Sequence, residues 1–421
     1  MKKIFNINYL LNIFFIFIYL NYLFFLYRII QRTNPWIVAD WLINYENGLI
    51  RRGLFGEIFF WFSEKLNFEI LNALFILISI LVFIFYYLSL NIIKQANINL
   101  IYLLVILSPA TFLFNFYDPL TVGRKEILFL TFFAFYIYKI QNEFSFSEKY
   151  HFLIFFVIGI FLVLTHELIV FYMFFPLFIK FLVIKEKKYF YINSKSELFF
   201  IFGCLIGLSI IIFSPTAFDP NTPKIICEKI ITFNVNENIC RGVNGAIYYT
   251  FLDKSMGHLI ISHTFDQIIN NNYYNYIFYL LIFIFSILLI FSFVNLPKNK
   301  SNFFYLTIFN FFQILILCIL FVIVNDWGRY LNIYFIINSL ILLKFFCFNQ
   351  KKLKFFNSII ILFLIVLNLT LWHMPHCCNK NFGNGFLSLK ERIEIRIKSS
   401  NGYEDKSREF LIKVLSKFDT K

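Results

Sequence analysis

The chain has 421 residues, of which 60% are hydrophobic and 15% charged, with a mean hydropathy of +0.72. Soluble domains carry about 25% charged residues, so this composition excludes an ordinary soluble enzyme, and its apolarity excludes disorder. On a membrane protein the net charge of +14 reads as topology rather than as a nucleic-acid footprint.

A helix needs about 20 mostly apolar residues to cross a bilayer. Eleven stretches meet or approach that length: about 8–27, 69–90, 100–116, 127–139, 151–165, 168–184, 198–214, 274–294, 303–324, 331–348 and 355–372. The predicted architecture is all-α. It is a polytopic integral membrane protein of about 11 transmembrane helices, with an interfacial helix after the first. Residues 1–372 form the membrane domain, with a large outer loop at 215–273, and 373–421 form a C-terminal tail.

The first stretch follows Met1-Lys2-Lys3. Its apolar run is too long for a cleaved signal and no small-residue site follows, so it reads as a signal-anchor with a cytoplasmic N-terminus. From that start the short cytoplasmic loops draw their cations from Lys, including Lys94, Lys139, Lys187, Lys298 and Lys351, as the positive-inside rule expects. Every Arg falls outside: Arg28, Arg32, Arg51, Arg52, Arg124, Arg241, Arg329, Arg392, Arg396 and Arg408. Topology needs only charge. Arg adds a planar fork that grips phosphate or carboxylate at two points.

The first outer loop runs from Asn34 to Glu57 and interleaves Asp40, Glu46, Arg51, Arg52 and Glu57 with aromatics and glycines. The apolar stretch from Leu54 to Lys65 is too short to span and predicts a helix lying along the membrane surface. The next outer segments are Asp118-Pro119-Leu120-Thr121-Val122-Gly123-Arg124-Lys125-Glu126, His166-Glu167 and Asp326-Trp327-Gly328-Arg329-Tyr330. Each alone has a bland reading as a capped hairpin with a local salt bridge, Asp326–Arg329 included. Four such segments with charges near membrane depth mark a site, because a charge at the centre of a span costs roughly 2.5–3.5 kcal/mol.

The large outer loop contains Cys227 and Cys240, which could form a disulfide or remain free thiols. His373, His376, Cys377 and Cys378 form a compact cluster that lacks the paired C-x-x-C spacing of strong zinc sites, so no metal is expected. The tail mixes charges with apolar residues such as Phe410 and Leu411, and reads as a membrane-apposed element with a solvated charged face.

A signal-anchor, an outer loop with an acid and an interfacial helix, then many spans: this order resembles the GT-C class of membrane glycosyltransferases. The resemblance covers the chain to about residue 348. It rests on Asp40-Trp41-Leu42-Ile43-Asn44-Tyr45, Arg51-Arg52-Gly53-Leu54, Arg124-Lys125-Glu126, His166-Glu167 and Asp326-Trp327-Gly328-Arg329. These strings also look like a bacterial membrane family of surface-polysaccharide synthesis. The resemblance implies a polyprenyl-linked sugar donor used at the outer face of the bacterial cytoplasmic membrane. It implies Asp40 as general base, with Glu46 and Glu57 in reserve. Arg51, Arg52, Arg124, Lys125, His166, Glu167, Asp326 and Arg329 would bind phosphate or substrate. The chain lacks the Asp-x-Asp pair of metal-dependent oligosaccharyltransferases, so neither metal nor cofactor is expected. O-antigen polymerases are similar in their outer Arg residues and large outer loop.

The expected partners are a polyprenyl-linked glycan, the lipid bilayer and a glycan-assembly complex, with no nucleic acid. The competing reading is a transporter or flippase for a lipid-linked or anionic solute. Such proteins place their site at the bilayer midplane between discontinuous helices.

Overall fold

A computed structural model describes residues 7–96, 106–140, 148–183, 195–214, 219–240, 300–323 and 327–345, with a few isolated positions between and beyond them. The protein is all-helical among the described residues. The helices are α1 (Ile7–Gln31), α2 (Val38–Leu42), α3 (Leu54–Leu66), α4 (Ile70–Gln95), α5 (Phe114–Tyr117), α6 (Glu126–Lys139), α7 (Glu148–Thr165), α8 (Phe175–Val183), α9 (Lys195–Ile212), α10 (Thr222–Thr232), α11 (Lys300–Ile323) and α12 (Trp327–Phe345). Short 3-10 turns cover Pro119–Thr121, Glu167–Tyr172 and Glu237–Cys240.

Four helical stretches are long and apolar enough to cross a membrane: Asn8–Gln31, Ile70–Gln95, Lys195–Ile212 and Phe304–Val322. Each turns large apolar side chains outward, among them Phe17, Phe83, Phe202 and Phe311. In water such a surface would aggregate, whereas lipid tails solvate it. The expected stretches at 274–294 and 355–372, and the tail from 373, lie almost wholly outside the described residues.

Helix α12 is the hub. Its residues from Tyr330 to Leu343 are all buried, and it packs on α4, α6, α8 and α11, while α4 also packs on α1 and α6. Helices α7 and α9 form a second, tightly joined pair. They run parallel and meet through glycine: a Cβ on Gly159 would lie 2.5 Å from the Phe200 carbonyl oxygen, and one on Gly203 would overlap the Phe156 carbonyl. With Gly207 this makes a Gly-x-x-x-Gly face on α9, the small-residue spacing that lets helix backbones approach in lipid.

Two predicted spans are interrupted. The stretch expected over 100–116 gives way to turns from Leu107 and stays irregular up to α6, apart from α5 and a 3-10 turn. The stretch expected over 168–184 is a 3-10 turn followed by the nine-residue α8. Buried backbone that leaves a helix must find other partners. Asn332 of α12 supplies them at the first break, its Nδ2 donating to the carbonyls of Ala110 (3.0 Å) and Thr111 (2.7 Å). The Thr111 hydroxyl donates to the Ile106 carbonyl. Both breaks lie at the end of the bundle where α6 and α12 begin and α7 ends. The opposite end carries lysines, with Lys344 donating to Gln95 at 2.7 Å and Lys180 beside Glu197 at 3.6 Å.

The large-loop segment that is described forms α10, tied by a disulfide between Cys227 and Cys240. Lys229 of α10 bonds Glu64 of α3 at 3.0 Å, and Asn47 of the first loop donates to Asp219 and Thr222.

Candidate functional site

The first loop, the 118–126 segment, the α7 terminus and the α12 N-terminus converge on one buried charged network. Arg52 is its centre. Its Nη1 donates to Asp40 Oδ1 at 3.0 Å, while Nε and Nη2 grip Glu167 at 2.8 and 2.6 Å. Arg51 Nη1 reaches the same Glu167 at 3.3 Å. The Arg52 backbone has φ +68°, a left-handed conformation uncommon for a side-chain-bearing residue. The surroundings hold it there: the Arg52 carbonyl accepts a 2.8 Å bond from Lys125 Nζ, and Gly53 next to it admits the Tyr45 ring where any Cβ would collide.

Lys125 is wholly buried. Its ammonium lies 5.7 Å from the centre of the Trp41 ring, and Trp41 Nε1 donates to the Gly123 carbonyl at 2.6 Å. Gly123 has φ +83°, and its N–H donates to the Tyr22 hydroxyl at 2.8 Å. One short run, Gly123-Arg124-Lys125-Glu126, is therefore anchored to α1, α2 and the first loop. Arg124 Nη1 adds a 3.1 Å bond to the Trp36 carbonyl.

His166 follows the end of α7 and caps the 3-10 turn Glu167–Tyr172, its Nδ1 accepting the Leu168 N–H at 3.3 Å. That bond leaves Nε2 as the protonated nitrogen, 3.5 Å from Glu126 Oε1. Arg329 Nε approaches the same oxygen at 3.4 Å, and Arg329 Nη2 donates to the Tyr330 hydroxyl at 2.7 Å.

A cavity of about 50 Å³ opens beside this group. Its polar lining includes Arg124, Glu126, Arg329, Asn115 and Asn332, and its apolar lining includes Phe85, Phe112, Leu130 and Ile336. At roughly 10–15 Å³ of such volume per water it holds a few waters or one small polar group.

Burial alone would raise the Asp40 carboxyl, but Lys125, then Arg52, His166 and Arg124 outweigh it and hold the group below its ordinary range. Glu167 is likewise held well below its usual value, Arg52 and Arg51 overcoming its burial. Burial pushes the Lys125 ammonium down to about 8 against the pull of Asp40.

Asp40, Arg51, Arg52, Lys125, His166, Glu167, Arg124 and Arg329 thus belong to one neighbourhood, although only Arg124 and Arg329 of these line the cavity. Glu46 and Glu57 do not join it. Glu46 is exposed and faces Lys229 of α10 at 3.5 Å, and Glu57 is exposed and accepts the Tyr45 N–H at 3.1 Å. Asp326 lies outside the described residues. In sequence Glu126 and Trp41 stand inside the motif strings with no role of their own, and Asn332 stands in none of them. Glu126 directly follows Arg124-Lys125, and its place at an apolar helix start was the available signal. Among the described residues no group of three or more His, Cys, Asp or Glu could hold a metal ion.

No family model matches the chain, and no curated protein or solved structure is significantly similar to it.

Proposed function

We propose that the chain is a membrane glycosyltransferase or polymerase that uses a polyprenyl-phosphate-linked sugar at the outer face of the bacterial cytoplasmic membrane, in surface-polysaccharide synthesis. About 11 spans, with α3 lying in the interface, complete this reading. The exposed Trp61, Phe62 and Leu66 of α3 support its interfacial placement.

The observation that carries the proposal is the buried network at one end of an apolar bundle, beside a cavity with polar and apolar walls. In it Arg51, Arg52, Arg124, Lys125 and Arg329 meet the carboxylates of Asp40, Glu126 and Glu167. Arg124 bonds to a carbonyl oxygen and lines the cavity, so its charge can face an anion there. A lipid phosphate brings such an anion on an apolar chain. Fixed cations stabilise the phosphate as it leaves, and a carboxylate takes the proton of the attacking hydroxyl, the role that the resemblance gives to Asp40.

The test is genetic and chemical. Cells lacking the chain should accumulate polyprenyl-linked glycan and lose surface polysaccharide, as read by mass spectrometry of the lipid extract. An unchanged lipid-linked pool would remove the proposal.

The two interrupted spans favour a second reading, a transporter or flippase for a lipid-linked or anionic solute. It requires alternating access. Cysteines placed at Asp40 and Arg329 would then be labelled from either side in turn, whereas the enzyme keeps them on one side.

A further inference from the structure

We propose that Glu126 is the catalytic base of this site and that Asp40 is a positioning residue that neutralises Arg52. The inference rests on the glycosyl-transfer reading above and assigns its proton acceptor.

Three observations separate the two carboxylates. Glu126 is 8% exposed and lines the cavity, whereas Asp40 does not line it. Among the described residues, neither Glu126 oxygen has a hydrogen-bond donor in bonding geometry. Oε1 has two N–H-bearing neighbours, the Arg329 guanidinium through Nε at 3.4 Å and the His166 imidazole through Nε2 at 3.5 Å, while among the described residues no ion pair reaches Oε2. Asp40 is instead engaged by Arg52 at 3.0 Å. A buried carboxylate oxygen without a donor forgoes the bonds it had in water, and native proteins rarely leave such a group unless it has a task.

The geometry of the neighbours fits that task. Arg124 and Arg329 share the cavity with Glu126, so a donor phosphate at their guanidinium groups would sit beside the base. The acceptor O–H oxygen attacks the anomeric carbon of the sugar, forming the new C–O bond. The bond from that carbon to the phosphate oxygen breaks, and the lipid phosphate leaves with the electron pair. The hydroxyl proton passes to Glu126 Oε2. Until the donor arrives, Arg329 and His166 keep the carboxylate ionised. When phosphate engages the arginines their charge is offset, and the carboxylate becomes a stronger base at the moment it is needed.

Membranes from cells expressing each variant carry their own lipid-linked donor and serve as the assay. Glu126→Gln should lower product at least 100-fold, as loss of general-base catalysis does, with membrane abundance and undecaprenyl phosphate binding kept within about twofold of the wild type. Glu126→Asp retains the charge that Arg329 and His166 face but withdraws the oxygens, and should lose at least tenfold. Glu126→Ala with added azide should form the glycosyl azide, because azide attacks the same carbon without a proton to remove. Asp40→Ala should show no such rescue. If Glu126→Gln or Glu126→Asp keeps more than half of wild-type product, or if azide rescues Asp40→Ala instead, the assignment is overturned while the glycosyl-transfer reading stands. If wild-type membranes make no product and their lipid-linked pool matches that of cells lacking the chain, it is the reading itself that fails.

Discussion

Arg52 carries most of the connections at the residue scale, and its partner Glu167 is the most instructive residue to remove. Breaking a fully buried ion pair from one side costs about 3–5 kcal/mol because the other charge is left uncompensated; the Arg52 and Glu167 side chains keep 21% and 18% exposure, so water offsets part of that cost here. Glu167→Gln should therefore lower the thermal midpoint of the solubilised protein well beyond the effect of Glu57→Gln, whose carboxylate is exposed. Lys125 gives a prediction in pH. Its folded value of about 8 lies below the ordinary 10.5. Between those values the unfolded chain holds a proton that the folded chain does not, so stability rises with pH across the window. The cost of the buried charge is fully present below about pH 8 and is relieved as pH climbs toward 10.5. Lys125→Met should flatten that slope in a pH series of thermal midpoints. By the same titration, binding of undecaprenyl phosphate to the wild type should weaken as pH rises through about 8.

Helix interruptions create the site at the element scale. A continuous helix over 100–125 would carry the Arg124–Glu126 run away from the first loop. The turns from Leu107 onward bring it back against Trp41 and Tyr22, and Asn332 makes those turns tolerable by serving two buried carbonyls. Asn332→Leu keeps the volume and removes the donors. It should cost about 1–3 kcal/mol for each orphaned carbonyl. Limited proteolysis and thermal denaturation would detect this as loosening between Leu107 and Arg124 while α7 and α9 stay paired. That pair has its own determinant in Gly159, Gly203 and Gly207, which hold the Glu167 end of α7 in place through backbone contact rather than side-chain bulk.

The two ends of the molecule differ in their cations. The described arginines, from Arg28 to Arg329, gather at the end that carries the network, together with Lys125 and Lys229, whereas Lys94, Lys139, Lys180 and Lys344 lie at the other. The disulfide between Cys227 and Cys240 joins residues 13 positions apart at the arginine end, beside the first loop that Lys229 and Asn47 hold. In the chain-entropy account such a bridge constrains the unfolded state by about 3 kcal/mol. Reductant should lower the thermal midpoint of the wild type and leave that of Cys227→Ser/Cys240→Ser unchanged. A maleimide gel shift should appear at these two positions only after reduction.

Read alone, the sequence determined the all-helical class and the apolar segments, because hydropathy is a property of consecutive residues and needs no knowledge of packing. It also singled out His166-Glu167, Arg51-Arg52 and Arg124-Lys125 as places where charge meets apolar surroundings. Only the tertiary structure decided which of these touch. Arg52 and Glu167 are 115 positions apart, and no local pattern pairs them. Asp40, the preferred acid on sequence grounds, lies locked against Arg52. Glu126, which in sequence stands only as the last member of the Arg124-Lys125-Glu126 string, lies at the cavity. That difference in surroundings has a physical cause. A carboxylate's role depends on which cations surround it and which oxygen they leave open, and both are set by how α6, α7 and α12 pack.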